Sequence, residues 1–321
     1  MKDTSYAFCV ARIRALENKL LTKQDIETLM SFKDLPSAID YLVQRNYAEQ
    51  GENINGITKR QNFLLNKLLE ESAPCKDELK KLYILNDYFN IKVFVKCAVE
   101  NRSADEYLVY PTSIDCRLAA DKIPLADFSF LKDEYEAIAK KAYNVALKNA
   151  SGKYSDTIIE KEAIDELTRS ASKKKSGMLG EINAFLADTA NIKIALRCAL
   201  TAQSEDYIKE AIGACSKLDR NKLVSATIEG YDVLISYLSS TDYKKGVELY
   251  TLKPSSFEKW IDDSITEITS RAVYTSFGFA PVVAYFYKKN LEIKTVRMIL
   301  SAVKSGVDKQ IIAERVREQY A

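Results

Sequence analysis

Apolar residues recur at helical spacing along most of this chain. Within residues 5–20, Tyr6, Cys9, Val10 and Ile13 occupy the i, i+3, i+4 and i+7 positions that form one face of a helix. The chain of 321 residues contains only ten glycines and six prolines, which normally mark turns and strand ends. The pattern therefore predicts an all-α fold. Similar periodicity predicts further helices at about 60–72, 76–86, 132–148 and 155–170.

Local signals predict where some of these helices begin. Thr22 precedes Asp25 by three residues, so its hydroxyl can accept a hydrogen bond from the third amide of a helix that starts there. Pro254, which two serines follow, indicates a second start. Residues 103–128 contain two prolines, and we expect only short helical pieces in that stretch.

One helical phrase recurs at a fixed interval. It reads DYFNIKVFVKCA at residues 87–98 and DTANIKIALRCA at residues 188–199, and a weaker third copy contains Ile293. Each copy follows the previous one by 101 residues, as from Ile91 to Ile192 and from Ile192 to Ile293. A period of that length describes a small domain rather than one turn of an open solenoid. We therefore expect three similar helical units, at residues 1–105, 106–205 and 206–321.

A second sequence similarity relates the first and third expected units. Residues 38–47 and 234–243 share Ile, Tyr, Leu and a final tyrosine in register, which is Tyr47 in one segment and Tyr243 in the other. The offset between these segments is 196 residues, so an insertion or deletion separates the first and third copies.

The repeated phrase carries an apolar stripe, which predicts the central packing helix of each unit. Its third copy places Arg297 where the other copies have Val95 and Leu196. Lysines lie beside the stripe, and they either extend to solvent or form a triad around a shared axis. They are Lys92, Lys193 and Lys294. Asp87 and Asp188 precede the asparagine that the first two copies share, where we expect each of them to cap a helix start or to stabilise its positive dipole end.

The residue types argue against an enzyme. Histidine is absent, which removes the commonest general base, the usual partner of a serine or cysteine nucleophile, and the commonest metal ligand. Residues 51–58 have the glycine spacing of a phosphate loop, but Ile57 replaces the required lysine. We expect no catalytic, cofactor-binding or metal-binding residues.

Charge and cysteine usage restrict the partners and the compartment. There are 47 basic and 45 acidic residues, so no large positive field is available for nucleic acid. The basic run at residues 173–175 has no interleaved aromatic residues, and we expect a solvated connection there. Six cysteines form no close pair, and no apolar run is long enough to span a bilayer. These features predict a soluble protein of a reducing, cytosolic compartment, without a secretory signal and without direct insertion into the membrane.

Three stretches together resemble the C subunit of the V-type and A-type rotary ATPases, which is related to the d subunit of eukaryotic vacuolar ATPases. The opening YAFCVARIRALE at residues 6–17 is similar to the start of that family. The phrase Asp-x-x-Asn-Ile-Lys is similar to its repeated helix, and residues 277–300 are similar to its C-terminal signature. The resemblance covers nearly the whole chain and is weakest in residues 103–128 and 150–180.

This resemblance implies a funnel-like protein of three helical domains around a pseudo-threefold axis. It implies a cytoplasmic, peripheral component that sits on the membrane proteolipid ring and receives the D and F subunits of the central stalk. Such a component transmits torque for ATP-coupled ion transport or ATP synthesis and has no active site. The expected partner-binding residues are Lys92, Lys193, Lys294 and Arg297, with Arg12 and Arg14 as weaker candidates. The alternative is a free-standing cytosolic helical-repeat scaffold that binds another protein.

Overall fold

The computed structural model describes residues 3–148, 152–172 and 177–316 of the chain. Over these ranges the regular structure consists of 17 α-helices and four short 3₁₀ segments, with no strand. The prediction of an all-α fold is confirmed. The basic run at residues 173–175 lies outside the described residues. The helices are α1 (Ala7–Glu17), α2 (Lys23–Leu29), α3 (Leu35–Gln44), α4 (Ile54–Ser72), α5 (Lys76–Leu82), α6 (Ile84–Glu100), α7 (Ala119–Lys122), α8 (Asp133–Lys148), α9 (Lys153–Ala171), α10 (Gly177–Leu200), α11 (Glu205–Ala211), α12 (Arg220–Glu229), α13 (Tyr231–Ser239), α14 (Lys244–Leu252), α15 (Pro254–Ser270), α16 (Ala280–Lys304) and α17 (Lys309–Arg315).

The predicted helix starts are confirmed. Thr22 and Asp25 form a reciprocal capping box, in which each side chain accepts a hydrogen bond from the backbone amide of the other residue. Helix α15 begins at Pro254, as predicted. Residues 103–128 contain only two 3₁₀ segments and the four-residue helix α7, which confirms the expectation of short pieces.

The chain divides into two compact units. The terminal unit comprises Met1–Lys76 and Ser255–Ala321, and the central unit comprises Asp77–Pro254. The terminal unit thus joins the two ends of the chain, whereas the central unit is continuous in sequence. The boundaries at residues 105 and 205, and the pseudo-threefold funnel, stay predictions.

The core of the terminal unit is built around one face of α16. Val296, Ile299 and Leu300 of this helix pack with residues of α2, α3, α4 and α17. Burial of these aliphatic side chains supplies the main stabilising term, at about 25 cal/mol for each Å² removed from water. Residues from the other helices in this cluster include Ile26, Leu29, Leu42, Ile57 and Ile312.

In the central unit, α9 packs against three long helices, namely α6, α8 and α10. Helix α10 also contacts the shorter helices α12 and α13. Cys97 on α6 and Cys198 on α10 are buried, and burial raises the pKa of both thiols. Both therefore pack as small apolar side chains. Among the described helices, none combines the length and apolar composition that crossing a bilayer requires.

Candidate functional site

All three copies of the repeated phrase lie within long helices, which we call the repeated helices. The first copy lies in α6, the second in α10 and the third in α16. The isoleucines Ile91, Ile192 and Ile293 are 0%, 0% and 6% exposed, so the apolar stripe packs inward in each copy. The prediction that the apolar stripe packs inward is confirmed, and the assignment of one such helix to each of three units stays a prediction.

The expectation that Asp87 and Asp188 cap helices is wrong. The residue before α6 is Tyr83, which makes no side-chain capping bond, and Asp87 lies inside the first turn. Asp188 lies deep within α10, eleven residues after its first residue, Gly177. Both aspartates are 0% exposed, and each accepts hydrogen bonds from a segment that follows its helix. They fix tertiary structure rather than a helix end.

Asp87 binds the segment that follows α6. Its carboxylate accepts hydrogen bonds from the Thr112 hydroxyl, from the backbone amide of Ser113 at 2.8 Å, and from the Ser113 hydroxyl. The Tyr135 hydroxyl adds a contact at 3.2 Å. Burial raises the pKa of Asp87, and these hydrogen bonds oppose that rise.

Asp188 makes the corresponding contacts after α10. Its Oδ1 atom accepts from the Ser216 amide at 2.7 Å, and its Oδ2 atom accepts from the Lys217 amide at 2.8 Å. The Tyr243 hydroxyl donates to Oδ2 at 2.7 Å. Each of the first two repeated helices therefore holds one buried carboxylate, to which backbone amide and tyrosine hydroxyl groups donate.

The asparagine of the phrase supports the same segment by pairing with its backbone. Asn90 accepts from the Val109 amide at 2.9 Å and donates to the Val109 carbonyl at 3.0 Å. Asn191 accepts from the Gly213 amide at 2.9 Å and donates to the Ala214 carbonyl at 3.0 Å. A carboxamide carries both a donor and an acceptor, so it can replace a backbone partner in this way.

Gly213 allows this close approach. A Cβ atom at this position would lie 2.9 Å from Asp165 Oδ1 and 2.9 Å from Ile164 Cγ2. The backbone of the segment therefore passes against α9 at a distance that only glycine permits without a shift.

The third repeated helix replaces this polar pair with an ion pair. Counting 101 residues onward, Lys289 takes the place of Asp188, and Glu292 takes the place of Asn191. Glu292 is 1% exposed, pairs with Lys289, and accepts a hydrogen bond from the Leu21 amide at 2.6 Å. Burial raises the pKa of Glu292, and Lys289 opposes that rise.

The segment that binds the third repeated helix comes from the start of the chain. Leu21 precedes Glu292 by 271 residues, and the Lys289 ammonium lies 4.6 Å from the centre of the Tyr47 ring. Tyr47 and Tyr243 are the last residues of the two similar segments, 38–47 and 234–243. The similarity of these segments therefore has a structural counterpart. Each tyrosine contacts the equivalent position of a repeated helix, which is Asp188 in α10 and Lys289 in α16. We call the three groups around Asp87, Asp188 and Lys289 the polar hubs.

The predicted partner-binding lysines do not share one environment. Lys92 pairs with Glu160 on α9, and Lys294 Nζ lies 2.8 Å from Asp262 Oδ2 on α15. Lys193 is exposed. Lys92 and Lys193 belong to the central unit and Lys294 belongs to the terminal unit. The triad around a shared axis stays a prediction.

Arg297 is exposed, although its equivalents Val95 and Leu196 are 1% and 0% exposed. Arg12 and Arg14 have structural contacts within the terminal unit. Arg12 donates to the Ser72 hydroxyl at 2.7 Å and lies 3.4 Å from a Glu71 oxygen.

Arg14 holds the segment before α16. It pairs with Glu17 at 2.7 Å and donates to the carbonyl oxygens of Ala272 and Thr275 at 2.8 and 3.0 Å. A planar guanidinium can reach two carbonyls and one carboxylate at once, which a lysine ammonium matches poorly. Arg14 therefore acts as a link between α1 and this segment.

Two further observations describe the surroundings of the hubs. No group of three or more potential metal ligands comes together among them. A cavity of about 470 Å³ lies next to the first hub in the central unit. Three lysines and three carboxylates line the cavity, so their opposite charges largely cancel and the cavity does not favour a ligand of one charge. These are Lys80, Lys81, Lys132, Asp77, Glu134 and Glu166.

The polar hubs were missed from the sequence, although a signal was present. Asp and Asn recur three residues apart in a helix that is otherwise mostly apolar, and a polar pair on such a helix requires partners when buried. The partners themselves lie 19 to 55 residues further on in the first two copies, beyond any local pattern.

The chain is similar over its length to components of rotary ATPases. A family model described as ATP synthase (C/AC39) subunit matches residues 9–315. The C subunit of the V-type sodium ATPase of Enterococcus hirae is 21% identical over 319 residues, with 96% of this chain and 97% of that protein covered.

Two further relatives are also named as C subunits of rotary ATPases. The C subunit of the A-type ATP synthase of Thermococcus kodakarensis is 23% identical, with 99% of this chain and 92% of that protein covered. The corresponding protein of a Desulfurococcus species is 25% identical, again with coverage of 99% and 92%. The family match spans nearly the whole chain and includes all three repeated helices. This chain therefore belongs to the ATP synthase (C/AC39) subunit family.

Proposed function

We propose that this chain is a non-catalytic adaptor of the central rotor in a V/A-type ATPase. In this role it joins the central stalk to the membrane proteolipid ring and transmits torque during ATP-coupled ion transport. The observation that carries the proposal is the family match over residues 9–315, together with relatives named as C subunits that are covered almost end to end. The proposed partners are the proteolipid ring and the D and F subunits of the stalk, on the cytoplasmic side of the membrane.

The polar hubs suit such a role because they make the packing of the repeated helices specific. A buried carboxylate that accepts two backbone amides and a tyrosine hydroxyl has few alternative arrangements, since any shift leaves donors without acceptors. Close-packed helices with hubs of this kind resist deformation under load. A torque adaptor needs that stiffness.

Charged residues on the repeated helices are the proposed contacts with the ring and the stalk. Lys193 and Arg297 are exposed, and the half-exposed Lys294 keeps contact with solvent beside Asp262. Lys92, which pairs with Glu160 in this structure, contributes by exchanging that carboxylate for an acidic group of the ring or the stalk. Arg12 and Arg14 contribute indirectly, through the contacts of α1.

Co-purification tests the adaptor role. An affinity-tagged full-length chain is expressed in its native cells, and membranes are solubilised in a mild detergent. We expect the proteolipid and the D and F subunits of the stalk to be recovered with the tagged chain. Recovery of a soluble partner alone, with no other component of an ATPase, would favour the helical-repeat scaffold and would refute the adaptor.

Charge reversal tests the contact residues separately. The variants carry glutamate at Lys92, Lys193, Lys294 and Arg297, first singly and then together, and the readout is recovery of the ring and of the stalk. We expect weakened recovery with the combined variant. Unchanged recovery after reversal of these four together with Arg12 and Arg14 would show that the contacts lie elsewhere.

A further inference from the structure

The exposed side of α16 carries a line of three cations and one serine, which we call the α16 stripe. It consists of Lys294, Arg297, Ser301 and Lys304, which follow one another at spacings of three, four and three residues. Such spacings place side chains on one side of a helix. All four are exposed, whereas Val296, on the opposite side, lies in the core of the terminal unit.

Among the described residues, acidic side chains neutralise only part of the positive charge of the stripe. Lys294 pairs with Asp262, and the lysine side chain remains 54% exposed. Over the described ranges, neither Arg297 nor Lys304 has a carboxylate oxygen within 4.0 Å. Residues 294–316 contain five basic and two acidic residues, in a chain whose overall net charge is +2. This stretch is therefore a local excess of positive charge.

Comparison of the three copies shows that packing does not account for Arg297. Val95 and Leu196, its equivalents, are buried against neighbouring helices, so the same position is part of the core in two copies. A solvated helix position requires a polar residue. It does not require three cations within eleven residues, because like charges near one another on a helix destabilise it. The arrangement therefore points to a negatively charged partner.

We propose that the α16 stripe binds an acidic helix of a neighbouring protein in the ATPase, which rests on the proposed function because that neighbour is part of the same assembly. The stripe spans eleven residues, or about 15 Å of helix from its first to its last member, which corresponds to about three turns of a partner helix. Carboxylates three or four residues apart on such a helix meet the cations at matching intervals. The stripe carries no aromatic residue on which nucleic-acid bases could stack, and this favours a protein partner.

The first test identifies what lies against the stripe. The photoreactive residue p-benzoylphenylalanine is introduced at Ser301 of the tagged full-length chain, and crosslinking is performed on the assembled complex in membranes. We expect a crosslinked peptide in which acidic residues recur at helical spacing. A crosslink to lipid, or to a peptide without carboxylates, would overturn the proposal.

The second test measures the charge contribution. The double variant Arg297→Glu and Lys304→Glu is compared with Lys33→Glu and Lys59→Glu, which change the same net charge at exposed positions of the same unit. The equilibrium constant for binding of the purified chain to the complex depleted of it is measured at low and at high salt. We expect the stripe variant to bind at least about tenfold more weakly at low salt, and the control variant to bind within about twofold of wild type.

The outcomes separate this proposal from the proposed function. If the wild-type chain binds no component of an ATPase, both are overturned. If wild type binds and the stripe variant binds equally well, the stripe proposal alone fails. Circular dichroism of both double variants verifies that the helices are intact, since all four substituted side chains are exposed.

Discussion

Asp188→Asn should destabilise the central unit, because the second polar hub depends on a carboxylate. The two side chains have the same shape, so the substitution changes hydrogen bonding without leaving a cavity. Asp188 accepts hydrogen bonds from the amides of Ser216 and Lys217 and from the hydroxyl of Tyr243, at 2.7, 2.8 and 2.7 Å. Asparagine offers one acceptor oxygen in place of two, so at least one buried backbone amide loses its acceptor.

The magnitude follows from those contacts. A buried donor without a partner costs about 1–3 kcal/mol, and the remaining bonds lose the added strength of a charged acceptor. Burying a neutral amide instead of a carboxylate offsets part of the loss. We therefore expect a decrease of about 2 kcal/mol in the free energy of unfolding for Asp188→Asn. Tyr243→Phe should cost about 1 kcal/mol, since the carboxylate keeps both amides.

Ser216→Ala is the matched control. Asp188 binds the backbone amide of Ser216 and not its hydroxyl, and the side chain is exposed, so this substitution should change stability by less than about 0.5 kcal/mol. Urea unfolding followed by circular dichroism measures the three variants, and hydrogen exchange at Lys217 reports the hub directly. Equal stability of Asp188→Asn and Ser216→Ala would refute the reasoning that the carboxylate supports the hub.

Three further predictions concern other contacts. Because burial raises the pKa of Glu292, its folded form holds a proton at pH values where the unfolded chain has lost it. The stability of the terminal unit should therefore fall as pH rises above the ordinary glutamate pKa of 4.5, and Glu292→Gln should flatten this dependence in urea titrations followed by Trp260 fluorescence. Gly213→Ala should cost about 1–3 kcal/mol through overpacking in thermal unfolding, whereas Gly152→Ala, with no atom within 4 Å of the new Cβ, should be nearly neutral. Arg14→Lys should speed amide hydrogen exchange in residues 271–279, because a single ammonium must replace two guanidinium nitrogens, Nη1 on Glu17 and Nη2 on both carbonyls, and unchanged exchange would exclude this role for Arg14.

Patterns close in sequence predicted the elements of this fold. The 3.6-residue period indicated the helices, and the Thr22 capping box and the 101-residue repeat were visible as short patterns. The departure of Arg297 from the apolar stripe was also visible, and the structure shows its consequence as an exposed side chain. Each of these features depends on residues within a few turns of one another, or on direct comparison of copies.

The contacts that join the elements could not be predicted in this way. Asp188 was interpreted as a helix cap because aspartate near a helix start commonly has that role, whereas its partners lie 28 to 55 residues further on. The contact between Leu21 and Glu292 joins residues 271 positions apart. No local period carries information about such a pair. The division into a terminal and a central unit follows from contacts of this range.

The substitution of Lys289 and Glu292 for Asp and Asn in the third copy has a physical reason in the segment that meets it. In the second copy, the Gly213 amide donates to the neutral carboxamide of Asn191, the equivalent of Glu292, and two successive amides, of Ser216 and Lys217, donate to the Asp188 carboxylate. At the third copy the Leu21 amide donates to Glu292, but the next amide, of Thr22, already donates to Asp25 within the capping box. A buried carboxylate with one amide is poorly compensated, and a paired cation supplies what the second amide would have given. The Leu21 amide, one residue before the capping box that starts α2, and the Lys289 ammonium on α16 therefore compensate the buried Glu292 carboxylate together.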